Sequence, residues 1–188
     1  MNTPVIGFSA FSGTGKTTVM ENLIRLLTQR GVRVGVVKHD CHGFEMDHPG
    51  KDSYRHAQAG AAAVIITSPE KTAEVRQRGE SLEDCLRRIG DVDLILVEGF
   101  KHADIPRIGL CRKASGKGFT EPPDRFAAVI TDDETLPVSV PRFGFEDTAG
   151  LADFIMKEML DMPDGDFTHF NDQGRDRMVN AGDKEPTR

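Results

Sequence analysis

The sequence predicts an α/β protein with a P-loop NTPase-type, three-layer fold built on a mostly parallel twisted sheet. Short apolar runs alternate along the chain with stretches whose apolar residues recur at helical spacing. The first apolar run, residues 4–10, leads through a loop of small residues directly into such a helical stretch. Strands that alternate with helices are joined by right-handed crossovers, which make the strands parallel and place helices on both faces of the sheet.

The first two predicted strands flank a helix. Residues 4–10 are a short apolar run and therefore a predicted strand. Apolar residues then recur at helical spacing until Gly31, a residue type that commonly ends a helix. The recurring residues are Val19, Leu23, Leu26 and Leu27. The β-branched run at residues 34–37 predicts the second strand.

The middle of the chain contains two further predicted helices. Residues 52–60 predict a short helix, and the apolar run 61–67 predicts a third strand. The segment 71–78 is ambiguous between helix and strand. The second helix is predicted from the spacing of Leu82, Leu86 and Ile89. Ser81 is its predicted N-cap, because Asp84 follows three residues later, at the spacing of a capping box.

The last predicted elements follow the longest apolar run. Residues 93–97 form this run, as expected for a strand that is buried on both faces. Residues 114–124 hold glycines and prolines and predict a flexible loop. Further strands are predicted at residues 107–111, 127–130 and 138–140. A last amphipathic helix is predicted from the spacing of Leu151, Phe154, Ile155 and Met159.

Length and composition predict one domain and a tail. The 188 residues are interpreted as a P-loop domain at 1–161 and a polar tail at 162–188, which lacks periodicity and is expected to be disordered or accessory. The formal net charge of −6 argues against a general nucleic-acid binder. Without a long apolar run or a signal peptide, the chain is expected to be cytoplasmic and not membrane-bound.

A phosphate-binding loop is the strongest functional signal. Residues 10–18, Ala-Phe-Ser-Gly-Thr-Gly-Lys-Thr-Thr, match the Walker A pattern except that Ala10 replaces its first glycine. Gly13 and Gly15 let the backbone turn its N–H groups toward phosphate oxygens at the positive end of a helix. The alternative is a Gly-Ser turn that has a lysine by chance. The predicted nucleotide contacts are Ser12, Gly13, Thr14, Gly15, Lys16, Thr17 and Thr18.

Side chains of this loop and of a later strand predict a magnesium-nucleotide site. Lys16 reaches the β- and γ-phosphates, Thr17 is placed to ligate Mg²⁺, and Thr18 to contact the α-phosphate. P-loop proteins need a further acid near the metal, and Glu98 follows the buried strand 93–97. Lys16 and Glu98 are therefore the predicted catalytic residues. The alternative makes Glu98 a solvated loop acid, although Gly99 beside it favours close approach of the backbone to a ligand.

Base selection is predicted at the end of another strand. The Asn-Lys-x-Asp motif is absent, but the strand 127–130 is followed by Thr131-Asp132-Asp133. Asp132 is the predicted guanine-binding residue, because ligands bind at the carboxyl ends of parallel strands. Either aspartate can instead cap a turn toward residues 136–137.

Five blocks of the sequence together resemble the molybdopterin-guanine dinucleotide biosynthesis protein B (MobB) family. The resemblance covers roughly residues 4–160 and is far more specific than the Walker A loop alone. The blocks are residues 12–18, 37–39, 49–54, 59–61 and 94–102.

The resemblance implies a GTP-binding adapter with weak GTPase activity. Such a protein assists the guanylyltransferase that joins GMP to molybdopterin, uses GTP and Mg²⁺, and tends to form homodimers. Lys51 and Asp52 would line the nucleotide site, with Asp52 a candidate for water-mediated contact to magnesium. Phe100, Lys101 and His102 would follow Glu98 at the mouth of the site, and Gly99 would line the nucleotide site.

Two other functions stay open. A small-molecule kinase begins with a similar strand, loop and helix, but it usually has an arginine-rich lid, and the arginine pairs at 76–78 and 87–88 lie in no clear lid. A metal-delivery GTPase would use the segment 39–48, which holds three histidines and Cys41. Ligand types alone do not establish a metal geometry. Cys41, Cys85 and Cys111 form no Cys-x-x-Cys pair, so neither a disulfide framework nor a structural zinc site is predicted.

Overall fold

A computed structural model describes residues 3–161, and within this range the chain forms two sheets and four α-helices. The strands are β1 Val5–Ser9, β2 Val34–Lys38, β3 Ala63–Thr67, β4 Thr72–Arg76, β5 Leu94–Glu98, β6 Arg107–Cys111, β7 Ala128–Thr131 and β8 Arg142–Phe143. The helices are α1 Lys16–Gln29, α2 Asp52–Gln58, α3 Leu82–Arg88 and α4 Thr148–Leu160. The predicted tail at 162–188 lies outside the described residues.

The main sheet is parallel throughout. Its six strands lie in the order β2-β5-β1-β6-β7-β8, and every neighbouring pair is parallel. This confirms the predicted α/β fold class. All the loops that follow these strands therefore leave from one edge of the sheet, which is where ligands bind in folds of this type.

Strand β5 shows why the core has three layers. Leu94 and Leu96 pack into the cluster that includes α1 and α4, whereas Ile95 and Val97 pack against α3. Neighbouring residues of a strand point to opposite faces of the sheet, so helices cover both faces. The four side chains are at most 1% exposed, as the continuous apolar run predicts.

Side-chain hydrogen bonds cap the N-termini of α3 and α4, and a glycine follows the C-terminus of α1. The Ser81 hydroxyl accepts a hydrogen bond from the Asp84 amide at 3.1 Å, which confirms the predicted N-cap of α3. Asp147 caps α4 in the same way through the Gly150 amide. Gly31 follows α1 with a φ of +83°, a conformation that glycine adopts without strain. Of the helices in residues 3–161, none is long and apolar enough to cross a bilayer.

Two strand predictions need correction. The predicted strand 61–67 begins at Ala63, and it pairs antiparallel with β4 in a separate hairpin instead of joining the main sheet. The ambiguous segment 71–78 is therefore mostly strand. The predicted strand 138–140 is wrong, and the short β8 follows it. Pro137 and Pro141 flank this segment and lack an N–H, and pairing with β7 begins where the Pro141 carbonyl accepts from Val129 at 2.9 Å.

Candidate functional site

The P-loop connects β1 to α1 through two residues with left-handed backbone. Gly13 has a φ of +82° and Gly15 a φ of +97°, and other residues adopt such angles only with strain. Thr14 lies between them and is buried, and its hydroxyl donates to the Phe11 carbonyl at 2.7 Å. The Thr14 side chain thus stabilises the turn. The glycines on either side give the loop the concave backbone that a phosphate group needs.

Lys16 and Glu98, the two predicted catalytic residues, are in contact. Lys16 is the first residue of α1, and Glu98 is the last residue of β5, which pairs with β1. Lys16 Nζ donates to Glu98 Oε1, and Lys38 Nζ lies 4.0 Å from Glu98 Oε2. The Glu98 side chain is only 17% exposed. This placement differs from that of a solvated loop acid.

The oxygen groups near this pair fit a magnesium ion. Thr17 and Thr18 are exposed in the first turn of α1, directly after Lys16. Mg²⁺ prefers oxygen ligands and is commonly held by one or two protein groups together with waters and substrate phosphates. Within residues 3–161 there is no group of three or more His, Cys, Asp or Glu residues that could hold a metal ion. The histidines and Cys41 of the segment 39–48 are among the residues to which this finding applies.

A buried arginine, Arg107, forms hydrogen bonds to the turn that follows Glu98. Arg107 is 6% exposed, and its guanidinium donates to the carbonyls of Gly99, Phe100 and Ala103. Burial lowers the pKa of Arg107. Gly7 in β1 leaves room for this side chain, because a Cβ there would lie 3.0 Å from an Arg107 nitrogen. Arg107 was not predicted, because the sequence alone does not show that the turn at residues 99–103 folds back onto this side chain.

Gly99 has a close backbone neighbour within the protein. Its φ is +90°, and a Cβ would lie 2.8 Å from the His39 carbonyl oxygen. The next residue, Phe100, packs its ring on the ring of His39, with centroids 4.6 Å apart. Gly99 therefore lies against the end of β2, and its close approach to a ligand stays a prediction.

The predicted residues Lys51 and Asp52 lie at the start of α2. Asp52 is 87% exposed and lies 3.7 Å from Arg55 one turn later. Ser53 forms a hydrogen bond that lowers the pKa of Asp47. Among the described residues, no hydrogen bond or ion pair joins Lys51 or Asp52 to the P-loop. Their role at the nucleotide stays a prediction.

The two aspartates after β7 have different surroundings. Asp133 accepts from the Thr135 amide at 3.1 Å and from its hydroxyl at 2.6 Å, which lowers the pKa of Asp133. Asp133 thus caps a turn, which was the alternative to guanine binding for both aspartates. Asp132 is 40% exposed at the sheet edge, and one oxygen accepts from the Lys113 amide at 2.6 Å. A carboxylate has further lone pairs, so Asp132 retains acceptor capacity.

Arg112 is a second residue that the sequence analysis did not identify. It follows the fully buried strand β6, and its Nε donates to the Thr14 carbonyl in the P-loop at 3.1 Å. A charged residue directly after a buried strand was the available signal. The loop that continues from Arg112 contacts β1 through Thr120, whose hydroxyl lies 2.8 Å from that of Ser9.

Comparison with known proteins gives consistent matches. The MobB family, described as molybdopterin guanine dinucleotide synthesis protein B, matches residues 5–132. The chain is 39% identical over 163 residues to the molybdopterin-guanine dinucleotide biosynthesis adapter protein of Escherichia coli (strain K12), covering 83% of this chain and 93% of that protein. It is 38% identical over 143 residues to the adapter protein of the same name from Haemophilus influenzae, covering 74% and 79%.

Solved structures agree with these matches. A crystal structure of molybdopterin-guanine biosynthesis protein B has a TM-score of 0.64 at 29% identity and covers 81% of this chain and 98% of that one. The crystal structure of Bacillus subtilis MobB has a TM-score of 0.67 at 25% identity and covers 83% and 98%. The chain therefore belongs to the molybdopterin guanine dinucleotide synthesis protein B (MobB) family.

Proposed function

We propose that this protein is a GTP-binding adapter in molybdopterin guanine dinucleotide biosynthesis, where it assists the attachment of GMP to molybdopterin. The family matches support the pathway, and the names of the E. coli and H. influenzae relatives support the adapter role. The contact between Lys16 and Glu98 carries the nucleotide part of the proposal. It joins the lysine that binds phosphates to the acid that holds magnesium in P-loop proteins.

Different residues of the site would contact the phosphates and the magnesium ion of a bound nucleotide. Backbone N–H groups of the P-loop would surround the β-phosphate, and Lys16 would contact the β- and γ-phosphates. The Thr17 hydroxyl and the Glu98 carboxylate would hold Mg²⁺, which supplies positive charge between the phosphates. Lys38, beside the same carboxylate, would limit the net negative charge of the site.

We propose that hydrolysis by the isolated protein is slow. Fast GTPases place an arginine on the γ-phosphate and a group that orients the attacking water. Arg112 donates to the Thr14 carbonyl and Arg107 to the turn after Glu98, so both arginines near the site are engaged by backbone oxygens. Without such groups, little charge stabilisation is available to the transition state. This favours a role in binding and handover.

The proposed partners are the guanylyltransferase, molybdopterin and a second copy of this chain, all in the cytoplasm.

The hairpin of β3 and β4 supports the proposed homodimer. Val64 lies opposite Val75 and Ile66 opposite Ala73, so these four residues share one face, the apolar face of the hairpin. Ile66 is 50% exposed. This face borders a cavity that is open to solvent, and a second copy of the chain would cover its exposed apolar surface.

Two measurements test the proposal. Calorimetric titration with GTP and with ATP, each with Mg²⁺, should give tighter binding of GTP. Adding the protein with GTP to guanylyltransferase and molybdopterin should raise the yield of the dinucleotide cofactor, and Lys16→Ala should remove this effect. Failure of GTP to bind, or rapid phosphate transfer to a small acceptor, would contradict the proposal, and the latter result would favour a kinase.

Turnover gives a separate prediction. Phosphate release from GTP should be well below the roughly 1–100 s⁻¹ of kinases. The substitution Glu98→Gln should abolish it, because the amide keeps the shape of the side chain but loses the charge that holds magnesium. A matched control is Glu134→Gln, which lies in an exposed loop. Equal rates for Glu98→Gln and the control would refute the role of Glu98.

A further inference from the structure

Arg112 lies between the P-loop and Asp132. It follows β6 directly, and β6 lies between β1 and β7 in the sheet. Its Nε donates to the Thr14 carbonyl at 3.1 Å, and its Nη1 lies 3.7 Å from Asp132 Oδ2. One guanidinium group therefore joins the loop that would bind the phosphates to the aspartate that would bind guanine.

Phe145 supports this guanidinium from one side. The Arg112 Cζ atom lies over the Phe145 ring, 3.8 Å from its centroid. Phe145 belongs to the main core cluster, so the support is rigid. Gly15 provides the space, because a Cβ at that position would lie 3.3 Å from Arg112 Nη2 and 3.9 Å from the Phe145 ring. The guanidinium is thus fixed through two of its edges and one of its faces.

Among residues 3–161, no ring other than that of Phe145 lies against the Arg112 guanidinium. The Arg112 side chain is 39% exposed, although its edges meet Thr14 and Asp132 and one face is covered by Phe145. With its edges and one face in contact, we expect this exposed surface on the remaining face. The planar, weakly hydrated guanidinium stacks well on aromatic rings and on nucleic acid bases.

We propose that the open face of Arg112 is the platform on which the purine base of the bound nucleotide stacks. This inference rests on the proposed GTP binding and adds a residue that positions the base. A nucleotide with its phosphates in the P-loop and its base edge at Asp132 must span the distance between them, and Arg112 occupies that interval. The stack would then be Phe145, Arg112 and the base.

Two ligands separate stacking from simple support of the P-loop. Binding of GTP and of inorganic tripolyphosphate, each with Mg²⁺, is measured by competition against a ribose-labelled fluorescent GTP analogue. Arg112→Met keeps length and apolar packing but removes the planar cation. It should weaken GTP roughly five- to hundredfold, the range for losing one base–side chain stack, with little change for tripolyphosphate. Arg25→Met, on the exposed surface of α1, is the matched control and should bind both ligands like the wild type.

Arg112→Lys tests whether the plane itself matters. Lysine retains the charge and an N–H for the Thr14 carbonyl, so stacking predicts that GTP stays weakened. Full recovery of GTP affinity in Arg112→Lys, or equal weakening of both ligands in Arg112→Met, would overturn the proposal. So would GTP binding that is unchanged in both variants. If Arg112→Met does not fold, as judged by thermal unfolding, the lysine variant decides the question. A wild-type protein that does not bind GTP would instead refute the proposed function, before any variant is compared.

Discussion

At the residue scale, the Glu98 carboxylate is shared by two lysines. Lys16 contacts one oxygen, and Lys38 lies 4.0 Å from the other. Carboxylate and phosphate oxygens are both good acceptors for an ammonium group. In the proposed nucleotide complex, Lys16 would therefore exchange Glu98 for the β- and γ-phosphates, which would leave the Glu98 carboxylate to a magnesium ion. Lys38 is more exposed and belongs to β2 instead of the P-loop, so no contact with the phosphates is proposed for it.

This arrangement predicts unequal effects of removing the two lysines. Lys16→Ala should weaken GTP binding ten- to hundredfold, because charge-assisted contacts contribute about 1.5–3 kcal/mol each. Lys38→Ala removes a charge near the same carboxylate and is the matched control, with a smaller expected effect because its side chain is 59% exposed. Calorimetry measures both affinities. An unchanged dissociation constant in a folded Lys16→Ala protein would refute the assignment of Lys16.

Asp132 gives a prediction about the base. Its carboxylate can accept from the guanine N1–H and amino groups, and a site built on such a pair rejects ligands that lack the donors. Asp132→Asn should reduce the preference for GTP over ATP and should increase binding of xanthosine triphosphate, whose base has an acceptor in place of the amino group. Asp133→Asn is the control, because Asp133 caps its own turn. If Asp132→Asn keeps the preference for GTP and gains no xanthosine binding, guanine is bound elsewhere.

At the element scale, the strands that build the site were predictable because their signals are local. The run before the P-loop and the run before Glu98 are continuous and apolar, and each forms a buried parallel strand. The hairpin was not predictable in its pairing, because an apolar run does not specify its partner. The segment 138–140 has the composition of a strand, but it lies between two prolines that lack an N–H donor, and pairing with β7 begins only at Pro141.

Arginine contacts across elements were the other unpredictable feature. Arg107 and Arg112 stand at the two ends of β6, and each donates to backbone carbonyls of another loop. The Arg112 contact depends on the order of strands in the sheet, whereas Arg107 donates to the loop that leads into its own strand. The sequence predicts which residues follow strands, and therefore Lys16, Glu98 and Asp132, but it does not predict which strands are neighbours.

Arg107 leads to a stability prediction for its loop. Arg107→Met removes a buried charged donor from three carbonyls of the turn after Glu98, of which those of Phe100 and Ala103 also accept backbone amides, so we expect a loss of about 3 kcal/mol in the free energy of unfolding. Arg142→Met is the matched control. Arg142 is also the first residue of a strand and donates to two carbonyls, but it is exposed, so water can replace it. Urea denaturation measures the free energy of unfolding of both variants. Equal losses in Arg107→Met and Arg142→Met would refute the role of Arg107.

At the scale of the whole molecule, the chain presents two separate surfaces. The carboxyl ends of the parallel strands gather the P-loop, Glu98 and Asp132 at one edge of the main sheet. The hairpin forms its own sheet, with an apolar face that borders a cavity of about 700 Å³ also lined by Phe44 and Tyr54. A nucleotide site and an apolar surface on different sheets allow an adapter to hold its nucleotide and a protein partner at once.

The two faces of the hairpin predict which substitution breaks the proposed homodimer. Ile66 belongs to the apolar face, whereas Ile65 lies opposite Glu74 on the other face, between pairs that contain Arg76 and Thr72. Ile66→Glu would place a charge in the dimer interface, where desolvation without a partner is costly, so the variant should sediment as a monomer at concentrations where the wild type is a dimer.

Ile65→Glu is the matched control, because Ile65 is more exposed than Ile66 and its face is already polar. It should remain dimeric. Both variants should keep the GTP affinity of the wild type, since the hairpin contributes none of the residues placed at the nucleotide. A monomeric wild type would refute the proposed homodimer. A wild-type dimer that persists in Ile66→Glu, or that is lost in Ile65→Glu alone, would place the interface on another surface of the chain.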